Sequence, residues 1–152
     1  MTPSVLKLVK KTGYPGMKVL EFAFDSAEDN DYLPHNYDKN CVVYTGTHDN
    51  DTVKGWYKTL KRVDKANLRE YLCIKNAKKL SRDLIRLAES SVADTCIIPI
   101  QDVFGFGSEA RINTPSTLGP NWKWRLLPEY LEDSSRSEAS QYLSKITSTY
   151  GR

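Results

Sequence analysis

Apolar residues fall at helical spacing at Val5, Leu6 and Val9, directly behind Thr2 and Pro3, a hydroxyl cap and a ring suited to the first helical position. Gly13 ends that short helix, and Tyr14-Pro15-Gly16 reads as a turn. From Met17 to Phe24 apolar side chains occupy both alternate faces, interrupted by Lys18 and Glu21, which predicts a strand covered on both sides. The polar, initially acidic stretch from Asp25 to Asn40 predicts a loop. A second strand, Cys41 to Thr45, then leads through Gly46-Thr47-His48-Asp49-Asn50-Asp51 into a helical region extending to about Ser91. Towards its end Leu80, Leu84, Leu87 and Ala88 share one face, while Lys78, Lys79, Arg82 and Arg86 take the rest.

A third apolar run, Thr95 to Ile100, ends in Gln101 and Asp102, so polar residues again follow a strand. Phe104 to Arg125 is a long loop rich in Gly, Asn and Pro, of a kind that compact domains keep for functional purposes. Ser135 and Glu138 have capping-box spacing, and Ala139, Tyr142, Leu143, Ile146 and Tyr150 form the stripe of a last helix. Strands separated by helices imply parallel pairing through right-handed crossovers, the arrangement of an α/β barrel or an open α/β sheet. Three strands cannot close a barrel, and a complete eight-stranded one takes about 250 residues. The chain is therefore either a small open α/β unit or part of something larger.

Composition narrows the class. A chain of 152 residues with 39% apolar residues supports one core, so 1–152 reads as a single domain. The net charge of +3, from 22 basic and 19 acidic residues, sets up no strong field toward nucleic acid or membrane. The basic run Lys54, Lys58, Lys61, Arg62, Lys65 and Arg69 fits the solvated face of helices, diluted by Asp64 and Glu70, rather than a nucleic-acid-binding module. Cys41, Cys73 and Cys96 stand far apart with no C-x-x-C pair and read as reduced and structural. Met1 to Lys11 contains no uninterrupted apolar run of signal-peptide or membrane length, and a cytoplasmic protein is expected.

The chemistry concentrates after the second strand, where His48, Asp49 and Asp51 arrive together on a loop leaving a strand's carboxyl end, the usual place for ligand contacts in α/β folds. Two readings stand: part of a polar-ligand site, or Asp49 or Asp51 capping the helix that contains Val53 and Trp56. His35 and His48 lack the short spacings of a metal site and point to hydrogen bonding. Trp56 reads as core, whereas Trp122 and Trp124 either cover the sheet's end or touch ligand.

Five ordered segments decide the wider picture: Pro15-Gly16-Met17-Lys18-Val19-Leu20, Tyr32-Leu33-Pro34-His35-Asn36-Tyr37, Tyr44 through Thr52, Gln101-Asp102-Val103, and Gly107 through Pro115. In order and spacing they resemble the C-terminal part of the 4-α-glucanotransferases, also called amylomaltases. The resemblance implies the C-terminal portion, about three βα units with the sixth to eighth strands, of an α-amylase-like (β/α)8 TIM barrel, so that 1–152 is a partial domain. It implies transfer of α-1,4-glucan segments between malto-oligosaccharides by a retaining mechanism, with no metal and no organic cofactor.

Retention uses one carboxylate as nucleophile and another as acid/base around an oxocarbenium-like transition state. The family adds a third, transition-state-stabilising Asp, matched here by Asp49. Its carboxylate would bind sugar hydroxyls most strongly as charge develops on the ring. His48 would grip the same sugar, and Asn113 and Asp25 match positions lining the glucan groove. By the same register the nucleophile and acid/base lie upstream of Met1, so the chain alone is expected to be inactive. Asp51, Asp102 and Glu109 stand near strand ends, but no motif sets two of them at the roughly 5 Å of a retaining pair. The expected partners are α-1,4-glucans and the missing N-terminal part of the barrel, with no nucleic acid and no membrane. The alternative is a non-catalytic malto-oligosaccharide-binding or complementing fragment.

Overall fold

The computed structural model of the chain describes residues 2–24 and 30–152. Helix α1, Pro3–Thr12, opens behind Thr2, whose hydroxyl pairs with Ser4 Oγ at 3.1 Å instead of capping a backbone N–H as expected. It closes on Gly13, whose φ of 70° is the left-handed conformation that glycine adopts without a Cβ penalty.

Strands β1 (Gly16–Val19), β2 (Cys41–Tyr44) and β3 (Thr95–Ile97) form a parallel sheet in the order β1-β2-β3. Met17 pairs with Val42 and Val19 with Tyr44, while Val42 and Tyr44 pair with Thr95 and Ile97, so these residues share one face. Lys18, Val43 and Cys96 are in register on the other. Helices α2 (Val53–Thr59), α3 (Arg62–Tyr71) and α4 (Leu80–Glu89) occupy the crossover between β2 and β3. The helical region expected up to about Ser91 is thus three helices, broken where Leu60 and Lys61 turn extended and again between Tyr71 and Leu80, where Cys73 takes a φ of 53°.

The core lies between the Val43 face and those helices. Leu20, Val43, Val53, Leu68, Leu84 and Ala88 are fully buried there, with Phe24, Cys41 and Leu80 around them. The Leu80, Leu84 and Ala88 stripe of α4 is the one its spacing predicts, and Leu87 packs at its margin. Truncating Leu84 to Ala would cost about 2–5 kcal/mol, because the sheet and helices around it collapse only partly into the vacancy. Trp56 packs against this core, with its ring 6.5 Å from Phe24.

Two strands are shorter than their patterns predict. Instead of continuing to Phe24, the chain leaves β1 as a 3-10 turn, Leu20–Phe22, and the Glu21 N–H bonds the Thr45 carbonyl at 3.2 Å. Leu20, Ala23 and Phe24 are buried by a helical turn, which is why apolar residues on successive positions imitated a two-sided strand. Nor is β1 covered on both sides, since Met17 is 53% exposed. At β3 the ladder ends at Ile97, and Pro99, which has no N–H to donate, precedes α5 (Ile100–Phe104). Gln101 and Asp102 are therefore helical and buried rather than exposed at a strand end.

The Phe104–Arg125 segment is largely irregular, with one 3-10 turn at Ser108–Ala110. The last helix, α6 (Asp133–Tyr150), begins two residues before the expected cap at Ser135, behind Glu132. Ile146 is buried, Ala139, Tyr142 and Leu143 are half-buried, and Tyr150 is exposed, so the stripe docks less deeply than its spacing suggests. Arg82 of α4 pairs with Glu138, and the Tyr142 hydroxyl donates to the Arg82 carbonyl at 2.7 Å, fastening α6 to α4. The three cysteines are free: Cys41 buried, Cys96 half-buried and Cys73 exposed. Among the described residues no helix is long and apolar enough to cross a membrane.

Candidate functional site

Beyond Tyr44 the chain enters the loop holding His48 and Asp49, and a buried acid from another element fixes its base. Asp102 of α5, 1% exposed, accepts the Thr45 hydroxyl at 2.6 Å on one oxygen and the Val53 N–H at 2.9 Å on the other. The end of β2 and the start of α2 are thereby tied to one carboxylate. Burial pushes Asp102 above its ordinary range, and the bonds from Thr45 and Val53 pull against that shift.

The cap of α2 is neither aspartate weighed for it. Thr52 is the cap, its hydroxyl accepting the Gly55 N–H at 3.2 Å. Asp51 instead accepts its neighbour Thr52 N–H and the Ser108 hydroxyl, both at 2.7 Å, joining the loop to the Ser108–Ala110 turn. Gly55 leaves room beside it, since a Cβ there would stand 2.4 Å from the Asp51 carboxylate and displace it. Glu109 folds back on the Gly107 N–H at 2.7 Å, and its backbone hydrogen bonds hold it below the usual carboxylate range. Asp51, Asp102 and Glu109 are thus all committed to loop architecture.

Asp49, released from capping, faces the opening. Its Oδ1 lies 2.7 Å from the Asn113 amide and 3.3 Å from His48 Nε2. Arg111 holds the backbone beneath, donating to the Asp49 carbonyl and the Asn113 carbonyl, each at 2.8 Å. The His48 ring lies 5.2 Å from Trp122, whose backbone φ of 63° is in the left-handed region that non-glycine residues rarely adopt. Asn121 supports that conformation by binding the backbone of Thr114 and Thr117.

His48, Asp49 and Arg111 line a cavity of about 440 Å³ at the carboxyl ends of the strands, floored by Met17, Tyr44 and Ile97 of the open sheet face. Of the residues singled out from sequence, His48, Asp49 and Asn113 come into contact here, while Asp25 lies outside the described residues. His35 is elsewhere, bonded through Nδ1 to the Tyr71 hydroxyl at 2.9 Å. Sequence reasoning missed Arg111, Thr45 and the structural use of Asp102, which act through bonds that no local spacing reveals.

This arrangement has relatives. The family model described as 4-alpha-glucanotransferase, glycoside hydrolase family 77, matches residues 1–130. The chain belongs to the 4-alpha-glucanotransferase family. It is 48% identical over 152 residues to the chloroplastic/amyloplastic 4-alpha-glucanotransferase of Solanum tuberosum, covering 100% of this chain and 26% of that protein. Against the 4-alpha-glucanotransferase of Clostridium butyricum it is 44% identical over 153 residues, covering 100% of this chain and 31% of the relative. The amylomaltase from Streptococcus agalactiae, solved in complex with acarbose, superposes with a TM-score of 0.92 at 32% identity over 100% of this chain and 30% of that one. The chain thus spans between 26% and 31% of the length of these relatives. Its parallel βα units are a segment of the amylomaltase TIM barrel, as the sequence resemblance implied. The open face bearing Met17 and Ile97 corresponds to the interior of such a barrel, where side chains from further strands pack.

Proposed function

We propose that this 4-alpha-glucanotransferase segment, a single partial domain over residues 1–152, forms one side of the acceptor and donor groove of an enzyme transferring α-1,4-glucan segments between malto-oligosaccharides. The observation that carries the reading is the Asn113–Asp49–His48 contact at the mouth of the cavity. Asp49 is the carboxylate that stabilises the oxocarbenium-like transition state, His48 and Asn113 bind the same sugar, and Asp25 belongs to the groove. Asp49 gains most when positive charge spreads over the ring, so its contribution falls on turnover rather than on ground-state binding. The Asn113 bond and the Arg111 grip on the backbone keep the carboxylate pointed there before substrate arrives. No step of this scheme requires a metal or an organic cofactor.

The nucleophile and acid/base are assigned to the remainder of the barrel, which is also the chain's principal partner. Asp51, Asp102 and Glu109 are all engaged in loop bonds, and Glu21 is buried beneath the loop at 2% exposure, so none of these four carboxyl groups stands open to a sugar beside Asp49. The chain by itself is accordingly inactive. A complementing fragment is the second reading, favoured by the uncovered sheet face, where Met17 and Ile97 are 53% and 46% exposed. The cytoplasm remains the proposed compartment, with a plastid the competitor given the name of the Solanum tuberosum relative.

The test is Asp49→Asn in a full-length 4-alpha-glucanotransferase carrying this chain as its C-terminal segment, assayed by maltotriose disproportionation. We expect kcat to fall by about 10²–10³ with KM within about threefold. Equal losses in kcat and in binding of a malto-oligosaccharide would remove Asp49 from the transition state.

A further inference from the structure

Beneath the His48–Asp49 loop lies a buried carboxyl group that this reaction scheme leaves unused. Glu21, in the turn after β1, is 2% exposed, and its N–H bonds the Thr45 carbonyl at the root of the loop. The carboxyl presses against Gly46. A Cβ at that position would stand 2.9 Å from Glu21 Oε1, so only the missing side chain of glycine lets the loop rest on the acid. On the far side, the Asn50 side chain approaches the Glu21 carboxyl and favours its anion. The Asn50 Oδ1 in turn accepts the N–H and the hydroxyl of Thr47 at 3.0 and 2.7 Å. Glu21 therefore touches the loop on both sides of His48 and Asp49.

We propose that Glu21 is a positioning residue whose carboxyl, wedged between Gly46 and Asn50, sets the height and tilt of the turn that presents His48 and Asp49. The inference rests on the assignment of Asp49 made above. It requires an uncharged acid, and the surroundings supply one. The charged groups facing Glu21 are Asp102 and Asp51, which disfavour its anion, and Arg111, which favours it. Burial, the largest influence, acts with the two aspartates to push Glu21 up to about 9 against the opposing pull of Asn50 and Arg111. At neutral pH the wedge is a carboxylic acid. Ionisation would place a charge on Oε1, which has no hydrogen-bond partner, beside two further carboxyl groups. A charge so placed escapes by moving the loop toward water.

Because the folded-state acid is weaker than a free glutamic acid, the correctly set loop is favoured at low and neutral pH and is lost as pH rises through about 9. Glutamine has the shape of the protonated acid and cannot ionise. In the full-length enzyme described above, maltotriose kinetics from pH 6 to 10 should therefore find that Glu21→Gln retains neutral turnover and extends activity to higher pH than the wild type. Glu21→Leu, which fills space without presenting a polar group to Asn50, should lower kcat by about 10- to 100-fold at every pH with KM within about threefold.

The proposal is overturned if Glu21→Gln loses neutral turnover as Glu21→Leu does, if Glu21→Leu matches the wild type, or if the alkaline limbs of wild type and Glu21→Gln coincide. Should Glu21→Leu fail to fold, the comparison of wild type with Glu21→Gln decides alone. Asp49→Asn, measured alongside, separates the two ideas. Full turnover in Asp49→Asn sinks the Asp49 assignment, whereas loss there with unaltered Glu21 variants sinks the present inference only.

Discussion

Replacing Asp102 with Ala should cost stability out of proportion to the atoms removed. Its carboxylate satisfies two donors that no water reaches, the Thr45 hydroxyl at 2.6 Å and the Val53 N–H at 2.9 Å, with both Thr45 and Val53 0% exposed. Each stranded donor costs about 1–3 kcal/mol. Part of this is offset, because a carboxyl pushed upward by burial has been paying for its own desolvation. We expect a net loss of about 2–4 kcal/mol. The assay is urea unfolding of the full-length enzyme in a double-mutant cycle with Thr45→Val. Once the hydroxyl is gone, Asp102→Ala strands one donor instead of two, so the changes should couple by about 1–2 kcal/mol at an unaltered m-value. Hydrogen exchange at the Val53 amide gives a local check, with protection falling in Asp102→Ala and unchanged in Thr45→Val. Additive costs, with coupling below about 0.5 kcal/mol, would refute the shared-acceptor picture.

Two further expectations concern neighbouring residues and a third the isolated chain. Gly55→Ala drives a methyl into the Asp51 carboxylate and should destabilise by about 1–3 kcal/mol in thermal melts, whereas in an Asp51→Ala background the same change should be neutral or helpful, since Ala outranks Gly in a helix. Equal penalties in both backgrounds would rule out the clash. Asn113→Ala releases the Asp49 carboxylate from its 2.7 Å bond, so it should lower kcat in the wild type yet add little to Asp49→Asn; multiplicative losses would mean Asn113 acts elsewhere. The isolated chain, with β1 and β3 unpaired on their outer edges and Met17 and Ile97 exposed, should self-associate in light scattering, and a monomer with a sharp cooperative melt would contradict this.

Much of this molecule is legible along the chain. Strand β2 and the α4 stripe follow from periodicity, because each buries one continuous face and needs nothing distant to declare it. The boundaries that failed did so where two kinds of burial look alike. A turn at Leu20–Phe22 puts apolar residues on successive positions just as a doubly covered strand does, and Pro99 ended β3 before its apolar run ended. Within the site, His48, Asp49 and Asn113 were found through motif resemblance, which carries distant geometry that spacing lacks. The local argument alone left Asp49 and Asp51 as rival caps, since it could not foresee that Thr52 would cap α2 and Ser108 would claim Asp51. Glu21 gave no warning, for an acid in a strand-like run reads as an exposed residue until the loop above it is in place.

Short-range bonds between Thr47 and Asn50 close the Asp49 loop, but the bonds that tie it to the rest of the fold reach far along the chain: 57 and 49 residues from Asp102 to Thr45 and Val53, and 62 and 64 from Arg111 and Asn113 to Asp49. Order of synthesis therefore separates Asp49 from the residues that hold it in place. A nascent chain exposing β2 holds Asp49 on an untethered segment, and the loop gains its shape only after Asn113 has emerged. Contacts of such separation are slow to form because loop closure precedes any gain. The site is accordingly among the last features of this segment to fold.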